Sequence, residues 1–196
     1  MTRSVLHLIP TLKGGGAEHQ LVLLAGHLSA IGWNVVVGYV HPGVHLEALE
    51  RTGVQVQRIE ARANYDPSLP FRVQRLIRQS QPVIVQTWLP QMDIIGGLAA
   101  RIAGVPWIVS ERSSKPTEGR FLMSMVRDGV MSGAAAVISN SAGALQRWTR
   151  RHPSVQRFHV PNAVSLAAVD AAAPSARVAS LRLGRDVPVA IAVGRL

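Results

Sequence analysis

The chain has 196 residues, 47% of them hydrophobic, no cysteine and a formal net charge of +10. That length suits one α/β domain with a sizeable core, excludes two full domains, and the apolar content excludes disorder as the overall state. Without cysteine there is no disulfide or thiolate site, and no apolar run reaches the length of a membrane-spanning helix.

Residues 4–9, Ser-Val-Leu-His-Leu-Ile, read as a buried strand. Residues 13–18, Lys-Gly-Gly-Gly-Ala-Glu, form a turn that brings bare backbone N–H groups to the start of a helix, a place that favours phosphate and other anions. The helix, 17–31, carries Leu21, Leu24, Ala25, Leu28 and Ile31 at helical spacing and stops at Gly32. A strand follows at 34–40, a short helix at 45–52 ending at Gly53, and a strand with one polar face at 54–60. Residues 61–70 read as a loop broken by Pro67 and Pro70. The helix at 71–79 sets Arg72, Arg75 and Arg78 opposite Val73, Leu76 and Ile77.

The second half continues the alternation, with strands at 83–87, 107–110, 135–140 and 156–160. Helices are expected at 92–103, ending at Gly104, and at 120–131, where Met123, Met125 and Met131 read as core filler. Ser141 caps a further helix that runs to residue 151. Residues 111–118 form a polar loop, and Pro161-Asn162-Ala163-Val164 breaks the pattern. Beyond it lie an Ala-rich linker or connecting helix and an apolar strand at 187–193 that opens a new βα unit. The whole predicts an α/β, Rossmann-like fold, a parallel sheet with helices on both faces. The expected organisation is a domain at 1–165, a connection at 166–185, and the first strand of a second, truncated domain at 186–196.

Open parallel sheets bind ligands at the carboxyl ends of their strands. Those ends carry the glycine turn, Thr87-Trp88, Ser110-Glu111-Arg112-Ser113-Ser114 and Asn140-Ser141. Arg112 suits a phosphate, and Trp88 suits stacking on a sugar or base. The turn is not the dinucleotide fingerprint: Gly14 and Gly16 fit its first two positions, but His19 takes the third and Tyr39-Val40-His41 offers no acid for a ribose, which disfavours NAD. Ser139-Asn140-Ser141-Ala142-Gly143 lacks the first glycine of a serine-hydrolase elbow. His41 and His45 are separated by Pro42-Gly43, so no metal site is expected. Lys occurs only at Lys13 and Lys115, so Arg carries nearly all the positive charge. That charge suits an anionic partner or a solvated surface, and the basic helix faces suit contact with an anionic membrane. The 5% aromatic content, with no reader motif, argues against nucleic acid.

The order of these features resembles the retaining two-domain glycosyltransferases of GT-B fold, family 4. The resemblance rests on the Gly-Gly-Gly-Ala-Glu turn, Val-Gln-Thr-Trp-Leu-Pro-Gln-Met-Asp at 85–93, Ser139-Asn140-Ser141, Pro161-Asn162-Ala163-Val164 and the closing Val193-Gly194-Arg195-Leu196. It implies an N-terminal acceptor-side domain over 1–165, with 186–196 starting the donor-binding domain. Gly14, Gly15, Gly16, Arg112 and Arg195 would face the donor phosphates, and Glu18, Trp88, Asp93, Glu111 and Asn140 the acceptor. Many relatives carry histidines where this chain has Gln86, Trp88, Gln91 and Arg112, and a glycine at Ala163. The implied activity is transfer of a sugar from a nucleotide diphosphate-sugar to a hydroxyl on a lipid-linked or glycan acceptor, in cell-envelope polysaccharide or glycolipid synthesis. No cofactor or metal is implied, the place is cytoplasmic at the inner face of the membrane, and the segment alone is expected to be nearly inactive. A non-catalytic nucleotide- or partner-binding domain, or an inactive truncated product, is the alternative.

Overall fold

The computed structural model describes residues 3–63, 66–112 and 121–171. Most of the polar loop after Arg112, the expected strand at 187–193 and Arg195 lie outside the described residues. The chain divides after Ala163 into two units, and the described part of the second holds one short helix, Leu166–Asp170.

The first unit is built on a seven-stranded sheet. Its strands are β1 (Ser4–Thr11), β2 (Asn34–His41), β3 (Gln55–Arg58), β4 (Ile84–Trp88), β5 (Trp107–Glu111), β6 (Ala136–Ser139) and β7 (Gln156–His159). The order is β3-β2-β1-β4-β5-β6-β7, and every pair is parallel. The connecting helices are α1 (Gly16–Ala30), α2 (Leu46–Glu50), α3 (Leu69–Ser80), α4 (Leu89–Ile102), α5 (Phe121–Met131) and α6 (Ala142–Arg151).

The period of two along β1 explains why it is apolar on both sides. Val5 and Ile9 join one core with Leu21 and Ala25 of α1 and Leu49 of α2. Leu6 and Leu8 join the other with Val73, Leu76 and Ile77 of α3, Met92 of α4 and Trp148 of α6. A strand buried on both faces reads as a continuous hydrophobic run, as the 4–9 segment does. The strand order reverses between β1 and β4, although all strands run parallel. That switch point leaves a crevice at the carboxyl ends of the strands.

Three expectations are corrected. Pro70 does not break a helix: it lies in the first turn of α3, where its missing N–H is not needed. Pro90 does the same for α4, which therefore starts at Leu89 rather than 92. Met125 is 56% exposed and is not core filler, whereas Met131 is buried. The Ser141 cap is present: its Oγ accepts from the Ala144 amide at 3.4 Å.

Candidate functional site

The glycine turn follows β1 and is fixed by its neighbour. Leu12 N donates to His41 O at 2.9 Å, and His45 N donates to Leu12 O at 3.1 Å. Gly14 sits at φ +118°, a left-handed conformation that other residues rarely adopt. Gly15 is the N-cap of α1, and a Cβ there would lie 2.5 Å from Glu18 Oε2. The buried Glu18 carboxylate thus folds over the first turn of α1. It answers the positive end of that helix with a negative charge of its own.

At the end of β4, Trp88 extends at φ −130° and Leu89, the first residue of α4, turns to φ +67°. A branched residue in that region costs about 1–2 kcal/mol. The strain turns the chain sharply at the switch point. The Trp88 ring is fully buried. Its Nε1 donates to His7 Nδ1 at 3.4 Å, so the neutral His7 carries its proton on Nε2, which is buried without a partner. Burial pulls the His7 imidazole down to about 3. The expected stacking of Trp88 on a sugar is therefore corrected, since the ring offers no open face to a ligand. What lies over it is Arg112, whose guanidinium carbon stands 5.1 Å from the ring centroid.

Arg112 follows β5. Its Nη1 donates to Asn162 Oδ1 at 3.0 Å, and the same oxygen accepts from Asn140 Nδ2 at 3.2 Å. Arg112 Nε is buried without a partner, and burial lowers the guanidinium from its ordinary value. Among the described residues Arg112 has no ion pair. A half-buried cation with an unused N–H favours an incoming anion.

The loop at 161–163 is tied back to α1. Gln20 Nε2 donates to Ala163 O at 2.8 Å, and Ala163 N donates to Gln20 Oε1 at 2.7 Å. Contacts thus run from α1 through Ala163 and Asn162 to Arg112, Asn140 and Trp88. The glycine turn and the ends of β4, β5, β6 and β7 stand at one crevice.

Beneath that crevice is a buried polar layer. Arg127 of α5 binds both Asp93, with its Nη2 2.7 Å from Oδ2, and Glu111, 3.1 Å from Oε2. Thr87 Oγ1 donates to Asp93 Oδ1 at 2.7 Å, Trp148 Nε1 to Glu111 Oε2 at 3.4 Å, and Gln86 Nε2 to Ser110 Oγ at 2.7 Å. Burial opposes charge on Arg127, but Asp93 and Glu111 outweigh it and hold the guanidinium protonated. Burial raises the Asp93 carboxyl, against the pull of Arg127 and the Thr87 hydroxyl. The acceptor contacts expected of Asp93 and Glu111 are corrected: both carboxylates are buried and committed to Arg127, which welds α4, α5 and β5 together. Of the expected residues, Arg112 and Asn140 share Asn162 Oδ1, and Gly14, Gly15, Gly16 and Glu18 stand at the start of α1, which Gln20 ties to the neighbouring Ala163. Gln20, Asn162 and Arg127 were not singled out as site residues from the sequence. Only the Pro-Asn-Ala-Val break marked the position of Asn162. Among the described residues no group of three or more His, Asp or Glu side chains could hold a metal ion.

The family model of Glycosyltransferase Family 4 matches residues 14–168. No curated protein matches the sequence. Among solved structures, the chain is similar to Anabaena Alr3699/HepE in complex with UDP, with a TM-score of 0.71 and 18% identity over 93% of this chain and 49% of that one. It is also similar to sucrose-phosphate synthase from Thermosynechococcus elongatus, with a TM-score of 0.69 and 17% identity over 95% of this chain and 54% of that one. A glycosyltransferase from Rickettsia africae ESF-5 gives a TM-score of 0.66 and 15% identity over 92% and 48%. The chain spans about half the length of these proteins. At such identities the likeness is one of fold: the seven-stranded parallel sheet matches half of a GT-B architecture.

Proposed function

Because the chain belongs to Glycosyltransferase Family 4, we propose that it is the acceptor-side half of a retaining glycosyltransferase that moves a sugar from a nucleotide diphosphate-sugar to a hydroxyl acceptor. The reading rests chiefly on Arg112, a half-buried cation at the crevice that is held by Asn162, backed by Trp88, and without an ion pair among the described residues. In this reading the donor diphosphate lies against Arg112 and the Gly14–Gly15–Gly16 turn. Glu18 and Asn140 face the acceptor hydroxyl. A solved structure of similar fold is described as a complex with UDP-glucose, which supports a nucleotide-sugar as the donor class.

The mechanism is positional and electrostatic. Fixed donors aimed at a departing diphosphate stabilise its developing charge, and closure of a second domain excludes water. The acceptor is a lipid-linked or glycan precursor, and the reaction takes place at the cytoplasmic face of a membrane. No helix among the described residues is long and apolar enough to cross that membrane.

The test is a transfer assay with labelled UDP-glucose and other nucleotide-sugars. The 196-residue chain is expected to give little or no turnover, and the reading frame extended through a donor-binding domain is expected to restore it. Robust turnover by the 196-residue chain, or an extended frame with no second glycine-rich βα domain, would overturn the division of labour.

A further inference from the structure

The opposite margin of the sheet carries a second basic concavity. A cavity of about 450 Å³ opens where β3 meets α3, a size usual for small-ligand pockets. Its floor is apolar, formed by the buried Ile59 and Leu76. Its rim carries Arg58, Arg72 and Arg75 against a single acid, Glu60. Arg72 is partly engaged: its Nη1 donates to Glu60 O at 2.8 Å and lies 3.4 Å from Glu60 Oε2. That Glu60 side chain is 84% exposed, so the pair is weak, and the three arginines still outnumber the one acid on the rim. The Arg58 and Arg75 guanidinium groups make no hydrogen bond or ion pair among the described residues.

The location has a cause in the fold. The helical period of α3 buries Val73, Leu76 and Ile77 and leaves Arg75 outward, beside the end of an edge strand whose Gln57 and Arg58 also point to solvent. Like charges held on one concave surface repel, and an anion seated among them removes that cost. Guanidinium groups match phosphate oxygens in pairs. β3 stands four strands from β5, which Arg112 follows, about 19 Å at the usual strand spacing. The pocket is therefore separate from the Arg112 crevice.

We infer that the β3–α3 pocket binds a phosphate-bearing anion, with Arg58 and Arg75 as its principal ligands. The same chemistry is offered by a soluble phosphate ester and by a phospholipid headgroup. The inference does not depend on sugar transfer.

Titration calorimetry of the 196-residue chain with inorganic pyrophosphate tests the soluble source. Co-sedimentation with phosphatidylglycerol vesicles, against phosphatidylcholine vesicles, tests the headgroup. Arg58→Gln with Arg75→Gln is expected to weaken binding about tenfold or more. Arg112→Gln should change this contribution by less than twofold. Arg58→Lys with Arg75→Lys, which keeps the charge, should retain part of the binding and shows that the surface still folds. Pyrophosphate binding sensitive to the double substitution assigns a soluble ligand, and vesicle binding with that sensitivity assigns a headgroup. If neither probe binds in a manner that depends on Arg58 and Arg75, the inference is overturned. Failure of the transfer assay would leave these outcomes unchanged.

Discussion

Gln20 and Ala163, 143 residues apart, close a ring of two hydrogen bonds in which the side-chain amide of one reads the backbone N–H and C=O of the other. The pair ties the start of the chain's first helix to the last residue of the sheet-bearing unit. It also sets Asn162 where its Oδ1 can accept from both Arg112 and Asn140. Gln20 is buried and Ala163 is exposed, so the pair anchors an exposed loop to the body of the unit.

Replacing Gln20 with Ala removes both bonds and leaves the Ala163 amide without its partner. The expected cost is about 1–3 kcal/mol. Hydrogen exchange at the Ala163 amide should quicken by more than the change in global stability explains. Gln20→Glu keeps an acceptor for the amide but turns a carboxylate against the Ala163 carbonyl, so it should be no better than Ala. Unchanged exchange at Ala163 in both variants would show that the ring does not hold the loop.

Arg112→Gln and Arg112→Lys separate charge from shape. A lysine keeps the cation over Trp88 but loses the planar fork. Affinity for UDP, read by titration calorimetry, is expected to fall about tenfold in both. Wild-type affinity in the lysine variant would mean that a point charge suffices.

Glu18 and a bound phosphate compete for one helix terminus. Glu18→Gln, which removes the charge and keeps the size, is expected to strengthen pyrophosphate binding severalfold in a background of Arg58→Gln and Arg75→Gln. If it weakens binding, the phosphate does not use the start of α1.

Arg127→Met removes the ion-pair partner of the buried Asp93 carboxylate. Breaking such a pair costs about 3–5 kcal/mol. Urea denaturation should show the midpoint fall with little change in slope. A double change that also makes Asp93 neutral should recover much of the loss, because the penalty lies in that buried unpaired charge.

His7 makes stability depend on pH. Its folded pKa, about 3, lies below the unfolded value of 6.5, so the unfolded chain takes up the proton first. The neutral ring's contribution is fully present above pH 6.5 and is lost as pH falls towards 3, at about 1.4 kcal/mol per pH unit. Denaturation curves between pH 7 and 4 should be flatter for His7→Leu than for the wild type. Equal slopes would place the acid sensitivity elsewhere.

The sequence by itself determined the α/β alternation, because burial on a helix or strand repeats with the local backbone period. Leu21 and Ala25 of α1, Val73 and Ile77 of α3 and the Ser141 cap are legible in that way. The polar strand ends were legible too, since a doubly wound sheet sends its loops to one edge. Only the tertiary structure decided which polar groups remain available there. Asp93 and Glu111 look like ligands in the sequence until Arg127, on a later helix, takes both. Trp88 looks like a stacking platform until the His7 and Arg112 side chains take its edge and face. Periodicity records which side a residue faces. Partnership between charges depends on distances set across strands and helices far apart in the chain, and burial makes that pairing obligatory.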